Sequence, residues 1–317
     1  AGSAVRLHRI TTWTRLPGTG EAVKVSGLLA VPADATGTIP VVSWQHGTLL
    51  AFDPVPSNLT RIAAPGYALR ENVDSAETLF NIHRFASHGF AVIAADYLGK
   101  GPYRDGRPEA YVVKEASTQT CIDVLDAGLA GLRTLGLEAG PLFLNGWSQG
   151  GLNTQWMAQA LQDAGRPVRA ASAQSPFNDL NATLRYWTGV DIHAAPTAAP
   201  YPAVPDWVSL GLVIVLGSYQ AYYGIDGLLD AAVRPEYRDF ARTFWTGYGL
   251  DFDPARHFPS TRELLVDGFF QRFTAEQNSL FLRRMAANRS TYIAYAAPMR
   301  FYYGLADEAL HAALAER

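Results

Sequence analysis

Hydrophobic residues in the first half of the chain fall into short runs with turn signals between them. Val5 to Trp13 and Val23 to Val31 are alternating or apolar runs, with Pro17-Gly18-Thr19-Gly20 between them. That pattern predicts an antiparallel hairpin. Pro40 to Trp44 predicts a short buried strand running straight into Gln45-His46-Gly47-Thr48. Asp74-Ser75-Ala76-Glu77 reads as a helix N-cap with a carboxylate three residues on. Leu79, Ile82 and Phe85 follow at helical spacing, and Gly89 supplies the stop. Phe90 to Ala95 is a continuous apolar strand ending in Asp96-Tyr97-Leu98-Gly99-Lys100-Gly101, and Ile122, Leu125, Leu129 and Leu132 mark the next helix. Strand Pro141 to Asn145, helix Leu152 to Ala164 and strand Val168 to Ala173 continue the alternation.

Continuous apolar strands alternating with helices predict an α/β fold. The sheet should be mostly parallel and flanked by helices, with right-handed crossovers and a site at the carboxyl ends of its strands. From Pro176 to about Ala296 the rhythm breaks: prolines cluster between Pro196 and Pro205, aromatics are frequent, and strand-like runs are scarce. The expected organisation is a core of residues 1–175 and 297–317, with a large, mainly helical insertion over 176–296. Met299 to Tyr303 resumes the core pattern as a short strand and leads into Gly304-Leu305-Ala306-Asp307.

At 317 residues and 48% hydrophobic, the chain can bury a sizeable core. A net charge of -3, with Lys and Arg scattered singly, leaves no electrostatic footprint for nucleic acid or an anionic membrane. Val208 to Gly217, the longest apolar stretch, falls far short of the roughly 20 residues of a membrane span, so a buried or lipid-facing helix is expected there. Cys121 is the only cysteine, which excludes an internal disulfide and a cysteine-rich metal site. The opening Ala1-Gly2-Ser3 carries no export signal pattern, so any such signal is expected to have been removed or never to have existed.

Chemistry concentrates at strand ends. Gly146-Trp147-Ser148-Gln149-Gly150 sits between an apolar strand and a helix, with the serine at the apex of a sharp turn. A nucleophile elbow needs glycines two residues either side of the serine, where neighbouring backbone comes close. Ser148 is therefore the candidate nucleophile, and its hydroxyl needs an adjacent base. A serine in a plain glycine-rich turn is the alternative; the flanking strand, helix and Gly151 weigh against it. The N–H of Gln149 would face the oxyanion of a tetrahedral intermediate, and the N–H of Thr48 is assigned as the second donor. His46 competes as a base or as loop support beside Gly47, and loop support is preferred. Asp307, following a strand and a turn, can orient an imidazole. Asp179 is assigned instead to the turn into the insertion.

Taken in order, Trp44 to Thr48, Asp96 to Gly101 and Gly146 to Gly151 resemble the W-Q-H-G-T, D-Y-x-G-x-G and G-x-S-x-G-G motifs of α/β-hydrolases. The resemblance is closest to the bacterial and fungal secretory-lipase-like branch, and it spans essentially the whole chain outside the insertion. It implies a triad in the order serine, acid, histidine, with a lid inserted after the strand that follows the elbow. It further implies serine hydrolysis of carboxylic esters without metal or organic cofactor, and it favours a secreted or periplasmic location. The sequence departs in one respect. In that family the histidine follows the acid after a further helix and strand, whereas His311 is the only histidine downstream of Asp307. One helical turn from the acid, it is too near in the chain to take orientation from that carboxylate and still reach Ser148. His83, His88 and His257 fall in helix or lid positions, His8 in the first hairpin, and His193 in the proline-rich stretch. The triad histidine is therefore expected outside this chain, in a second polypeptide after cleavage or in further residues. The strand from Met299 would then lie at an exposed sheet edge.

The aromatic insertion, with Tyr186, Trp187, Tyr201, Trp207, Trp245 and Phe270 among others, should supply its own core and part of an apolar acyl or aryl pocket. Medium-chain or aromatic esters, polyester-like ones included, suit such a pocket. Arg283-Arg284 reads as a solvated helix face in preference to a carboxylate clamp. Two other functions compete: a serine peptidase or amidase on the same fold, and a non-catalytic binding protein. Ser148, Gln149, Gly47 and Asp307 standing together argue against the binder.

Overall fold

The computed structural model describes residues 2–58, 73–189, 203–248, 258–270 and 276–315. They divide into two compact units, one of residues up to 107 with 114–174 and 293–302, the other of 108–113, 175–292 and 303 onward. His193, Tyr201 and His257 lie outside the described residues.

The first unit is built on a seven-stranded sheet: β1 (Val5–Arg15), β2 (Ala22–Pro32), β3 (Gly37–Gln45), β4 (Ala91–Ala95), β5 (Leu137–Trp147), β6 (Ala170–Gln174) and β7 (Met299–Tyr302). Their order is β1-β2-β4-β3-β5-β6-β7. The predicted hairpin forms, with Val5 opposite Pro32 and Arg15 opposite Ala22, and β2 continues antiparallel onto β4. From β4 to β7 every pairing is parallel. Alternate residues face opposite sides. On one face Leu28, Ala30, Val42, Trp44, Val92 and Ala94 cluster with Ile82 and Ala86, which belong to α1 (Val73–Phe85) and the short turn after it. On the other face lie α2 (Lys114–Thr134) and α3 (Gln149–Asp163), where Ile93 fills the space a Cβ on Gly128 would need and Met157 lies against Ser43. Both faces of β4 are covered, which is why all five of its residues are buried and why its sequence is apolar without alternation.

Two sequence expectations are corrected. The strand expected from Pro141 begins at Leu137 and runs through the proline. Ile39 pairs with Ala139 but Val41 with Leu142, so a bulge absorbs the ladder bond that a proline cannot donate. The helix expected to be capped at Asp74 already starts at Val73, and the Glu77 carboxylate serves another partner, described below.

The second unit is mainly helical: α4 (Leu180–Trp187), α5 (Val208–Tyr223), α6 (Leu228–Ala232), α7 (Arg238–Gly247), α8 (Thr261–Leu264), α9 (Glu276–Asn288) and α10 (Ala312–Ala315). The apolar α5 is the buried centre of this unit, with every residue from Val208 to Tyr219 enclosed. Two of its polar groups are answered within the unit: the Ser218 hydroxyl donates to the Glu109 carbonyl at 2.7 Å, and the Asn288 amide donates to the Tyr219 hydroxyl at 2.8 Å. Among the described residues no helix is long and apolar enough to cross a membrane. Tyr186, Trp187, Trp245 and Phe270 are buried. Arg283 and Arg284 are exposed, and Arg284 stacks on Tyr223 at 4.6 Å.

Candidate active site

Strand order reverses around β3: the chain passes from β3 outward to β4, then returns across β3 to β5. The carboxyl ends of β3 and β5 therefore diverge into separate connections, the position at which open α/β sheets bind ligands. The loop Gln45-His46-Gly47-Thr48 leaves one end, and Ser148 follows the other.

Ser148 has φ 57° and ψ −120°, a backbone conformation that costs on the order of 1–3 kcal/mol for a residue with a side chain. It is held by its N–H donating to the Gln174 carbonyl at 2.8 Å on one side, and by the Leu152 N–H donating to its carbonyl at 3.2 Å on the other. The flanking glycines follow from sterics. A Cβ on Gly146 would lie 2.1 Å from the Gly150 carbonyl oxygen, and a Cβ on Gly150 would lie 1.9 Å from that of Gln45. The second contact presses the elbow directly against the end of β3. Ser148 is half-buried, and Gln149 behind it is buried in the first turn of the 15-residue α3, whose N-terminal N–H groups and dipole favour negative charge.

The loop after β3 is held by side chains from three directions. His46 is buried, with Nδ1 2.7 Å from the Gly47 carbonyl and Nε2 3.5 Å from the Asp96 carbonyl. A carbonyl only accepts, so the shorter contact puts the imidazole hydrogen on Nδ1. The ring stacks on Tyr97 at 4.0 Å, and the Tyr97 hydroxyl donates to the His46 carbonyl at 2.9 Å. Burial, assisted by the nearby Lys100 charge, pushes the His46 imidazole down to about 4, so it is neutral at physiological pH. Lys100 is itself buried, and its ammonium donates to the carbonyls of Leu49 and Ala51, the latter at 2.7 Å. Asp96 accepts from the Ser57 N–H at 2.8 Å and from the hydroxyls of Ser26 and Ser57 at 2.5 Å each, while burial raises its carboxyl above the usual range.

The third support is Glu77 on α1, whose two carboxylate oxygens each accept from the Gly47 N–H at 3.0 Å. Burial pushes this carboxyl up to about 8 against the opposing effect of that hydrogen bond. Neither Glu77 nor Lys100 is among the site residues that the sequence suggests. Lys100 lies within the D-Y-x-G-x-G run, and Glu77 shares a helix face with Thr78, Asn81 and Ile82, all buried. A carboxylate on a buried helix face is the signal that could have found it.

Ser148, Gln149, His46 and Gly47 thus meet within the first unit, with Thr48 next along the loop. Asp307 belongs to the second unit, where its Oδ1 accepts from the N–H groups of Ala309 at 3.1 Å and Leu310 at 2.8 Å. Asp179 caps α4, accepting from the Ala182 N–H at 3.0 Å. Of the described histidines in the first unit besides His46, His83 and His88 lie before the amino end of β4, opposite the elbow. His8 lies on β1, four strands from β5 and so about 19 Å across the sheet. His311 belongs to the second unit, beside Tyr186. β7 pairs with β6 alone among the described strands, and Phe301 and Tyr302 on it are exposed.

No protein-family model and no curated protein sequence matches this chain. Solved structures share its fold. The rice cell wall degrading esterase LipA from Xanthomonas oryzae, in a ligand-bound form, is similar with a TM-score of 0.78 at 20% identity, over 98% of this chain and 78% of that one. Candida antarctica lipase A is similar with a TM-score of 0.68 at 14% identity, over 98% of this chain and 68% of that one. The chain has the α/β-hydrolase fold, in the form found in these lipase and esterase structures.

Proposed function

We propose that this protein is a serine hydrolase that cleaves carboxylic esters through an acyl-enzyme. The observation that carries the proposal is the strained Ser148 at the turn from β5 into α3, pressed against the loop that follows β3. In this mechanism Ser148 Oγ bonds to the ester carbonyl carbon while its proton passes to an imidazole. The oxyanion accepts hydrogen bonds from the N–H groups of Thr48 and Gln149. Collapse breaks the bond to the alcohol oxygen, which takes the proton from the imidazole, and water then releases the acid by the same steps. His46 supports the loop: it is enclosed, neutral and already bonded through Nδ1. Asp307 orients the imidazole through Oδ2, its Oδ1 being committed to backbone.

The imidazole belongs to a histidine other than His46, which is engaged through Nδ1. The insertion over 176–296 acts as a lid whose aromatic side chains favour medium-chain or aromatic acyl groups. The esterase and lipase named above lend their substrate class to this proposal. Turnover of p-nitrophenyl esters against aminoacyl p-nitroanilides by the full-length protein tests it. Ester cleavage that disappears in Ser148→Ala is expected; cleavage of the anilides alone would replace the esterase with a peptidase or amidase.

A further inference from the structure

Gly47 is gripped at both of its backbone polar groups. Its N–H donates to the Glu77 carboxylate, with both oxygens at 3.0 Å, and its carbonyl accepts from His46 Nδ1 at 2.7 Å. The Gly47 carbonyl and the Thr48 N–H belong to one rigid peptide unit, so whatever sets φ and ψ at Gly47 aims the Thr48 donor. Glycine has no preference of its own to do this. Space is equally tight: a Cβ on Gly47 would stand 3.1 Å from Glu77 Oε2 and 3.3 Å from Trp147 Cε3, so the carboxyl and the residue before the nucleophile both close on Gly47. A carboxyl in that position lies within electrostatic reach of the oxyanion that forms on Ser148 attack. If ionised it would oppose that charge, and if neutral it would not.

We propose that Glu77 is a positioning residue for the oxyanion loop, fixing the Gly47 peptide through a carboxyl that is uncharged in the active form. The role rests on the serine-hydrolase reading of Ser148. Burial favours the same protonation state, since it pushes Glu77 up to about 8. Among the described residues the ionisable groups on the surrounding elements are few. The oxyanion loop carries His46, held neutral by a value near 4. The loop after β4 carries Asp96, hydrogen-bonded to Ser26 and Ser57, with Tyr97 on the His46 ring and Lys100 on the Leu49 and Ala51 carbonyls. The elbow brings only the non-ionising Trp147 close to Gly47, and α1 carries His83 and Arg84 in its last turn.

The test uses Glu77→Gln and Glu77→Ala in the full-length protein. We would measure kcat and KM for p-nitrophenyl butyrate from pH 6 to 10, per active site counted by fluorophosphonate titration. Wild-type kcat is expected to fall as pH rises through about 8. Glu77→Ala, lacking the acceptor for the Gly47 N–H, should lose roughly tenfold in kcat with KM within about twofold. Glu77→Gln keeps an amide oxygen to accept that bond and cannot ionise. It should recover most of the loss at pH 7 and show no decline above pH 8. A Glu77→Gln profile that still falls like wild type, or a Glu77→Ala kcat equal to wild type per labelled site, would overturn the assignment. The Gln variant alone decides the matter if the Ala variant does not fold. Absence of fluorophosphonate labelling in wild type would instead remove the serine-hydrolase reading itself.

Discussion

Replacing Gly150 by alanine probes how closely the elbow is pressed onto β3. The added methyl would lie 1.9 Å from the Gln45 carbonyl oxygen, 2.5 Å from its carbon and 2.6 Å from the His46 carbonyl oxygen. A close carbon–oxygen contact is about 3.3 Å, so the elbow and β3 must separate by roughly 1.4 Å. Both sides are backbone, one in the central sheet and one in the first turn of α3, so no side-chain rotation can relieve the clash. Overpacking of this kind costs about 1–3 kcal/mol, and the upper end applies when backbone must shift. Displacing a reacting group by about 1 Å costs on the order of 100-fold in rate. Gly150→Ala should therefore lose about 3 kcal/mol in urea unfolding and react about 100-fold more slowly with a fluorophosphonate. The same substitution at Gly247 is the control. That residue ends α7 with nothing within 4 Å of the added methyl, so Gly247→Ala should be neutral or stabilising by up to about 1 kcal/mol. If Gly150→Ala unfolds within about 0.5 kcal/mol of wild type and labels at a similar rate, the steric account of the elbow fails.

Lys100→Met would strip the donor from the buried Leu49 carbonyl and the part-buried Ala51 carbonyl. A loss of about 2 kcal/mol in urea unfolding is expected, and an unchanged midpoint would show that the clamp contributes nothing. His46, at about 4 in the folded protein against 6.5 unfolded, takes up its proton more readily when the chain unfolds. Its contribution is complete above pH 6.5 and is lost as pH falls toward 4. Unfolding at pH 5 should therefore show about 2 kcal/mol less stability from this group than at pH 7, and its imidazole NMR shifts should remain those of the neutral ring at pH 5. Glu77 works in the opposite sense: its value is raised from 4.5 to about 8, so its contribution is complete below pH 4.5 and is lost as pH rises through 8. Glu77→Gln should accordingly be the more stable protein at pH 9 and not at pH 4, measured by urea midpoints.

The parallel core is legible in the sequence because burial on two faces leaves a signature that a single strand carries alone. Ala91 to Ala95 is apolar throughout, and β4 is enclosed throughout. The hairpin is legible for a similar local reason, its two runs being separated by Gly18 and Gly20, both at positive φ. Features that depend on distant partners are not legible. Glu77 and Gly47 are 30 residues apart, and nothing in Asp74 to Glu77 distinguishes a carboxylate that caps its own helix from one that reaches another loop. Pro141 reads as a strand start because proline lacks an N–H; only the register of β3 against β5 reveals the bulge that lets the strand continue. The elbow lies between these cases. Its glycine spacing is written in the chain, but the reason for it, the carbonyls of Gly150 and Gln45 standing where methyl groups would be, is a tertiary fact.

Covalent labelling tests the central claim most directly. The full-length protein would be treated with a fluorophosphonate at pH 7, digested, and the adduct located by mass spectrometry. A single phosphonylated residue, Ser148, is expected, with labelling abolished in Ser148→Ala. An unlabelled protein, or an adduct on any other residue, would contradict the assignment of this elbow as a nucleophile.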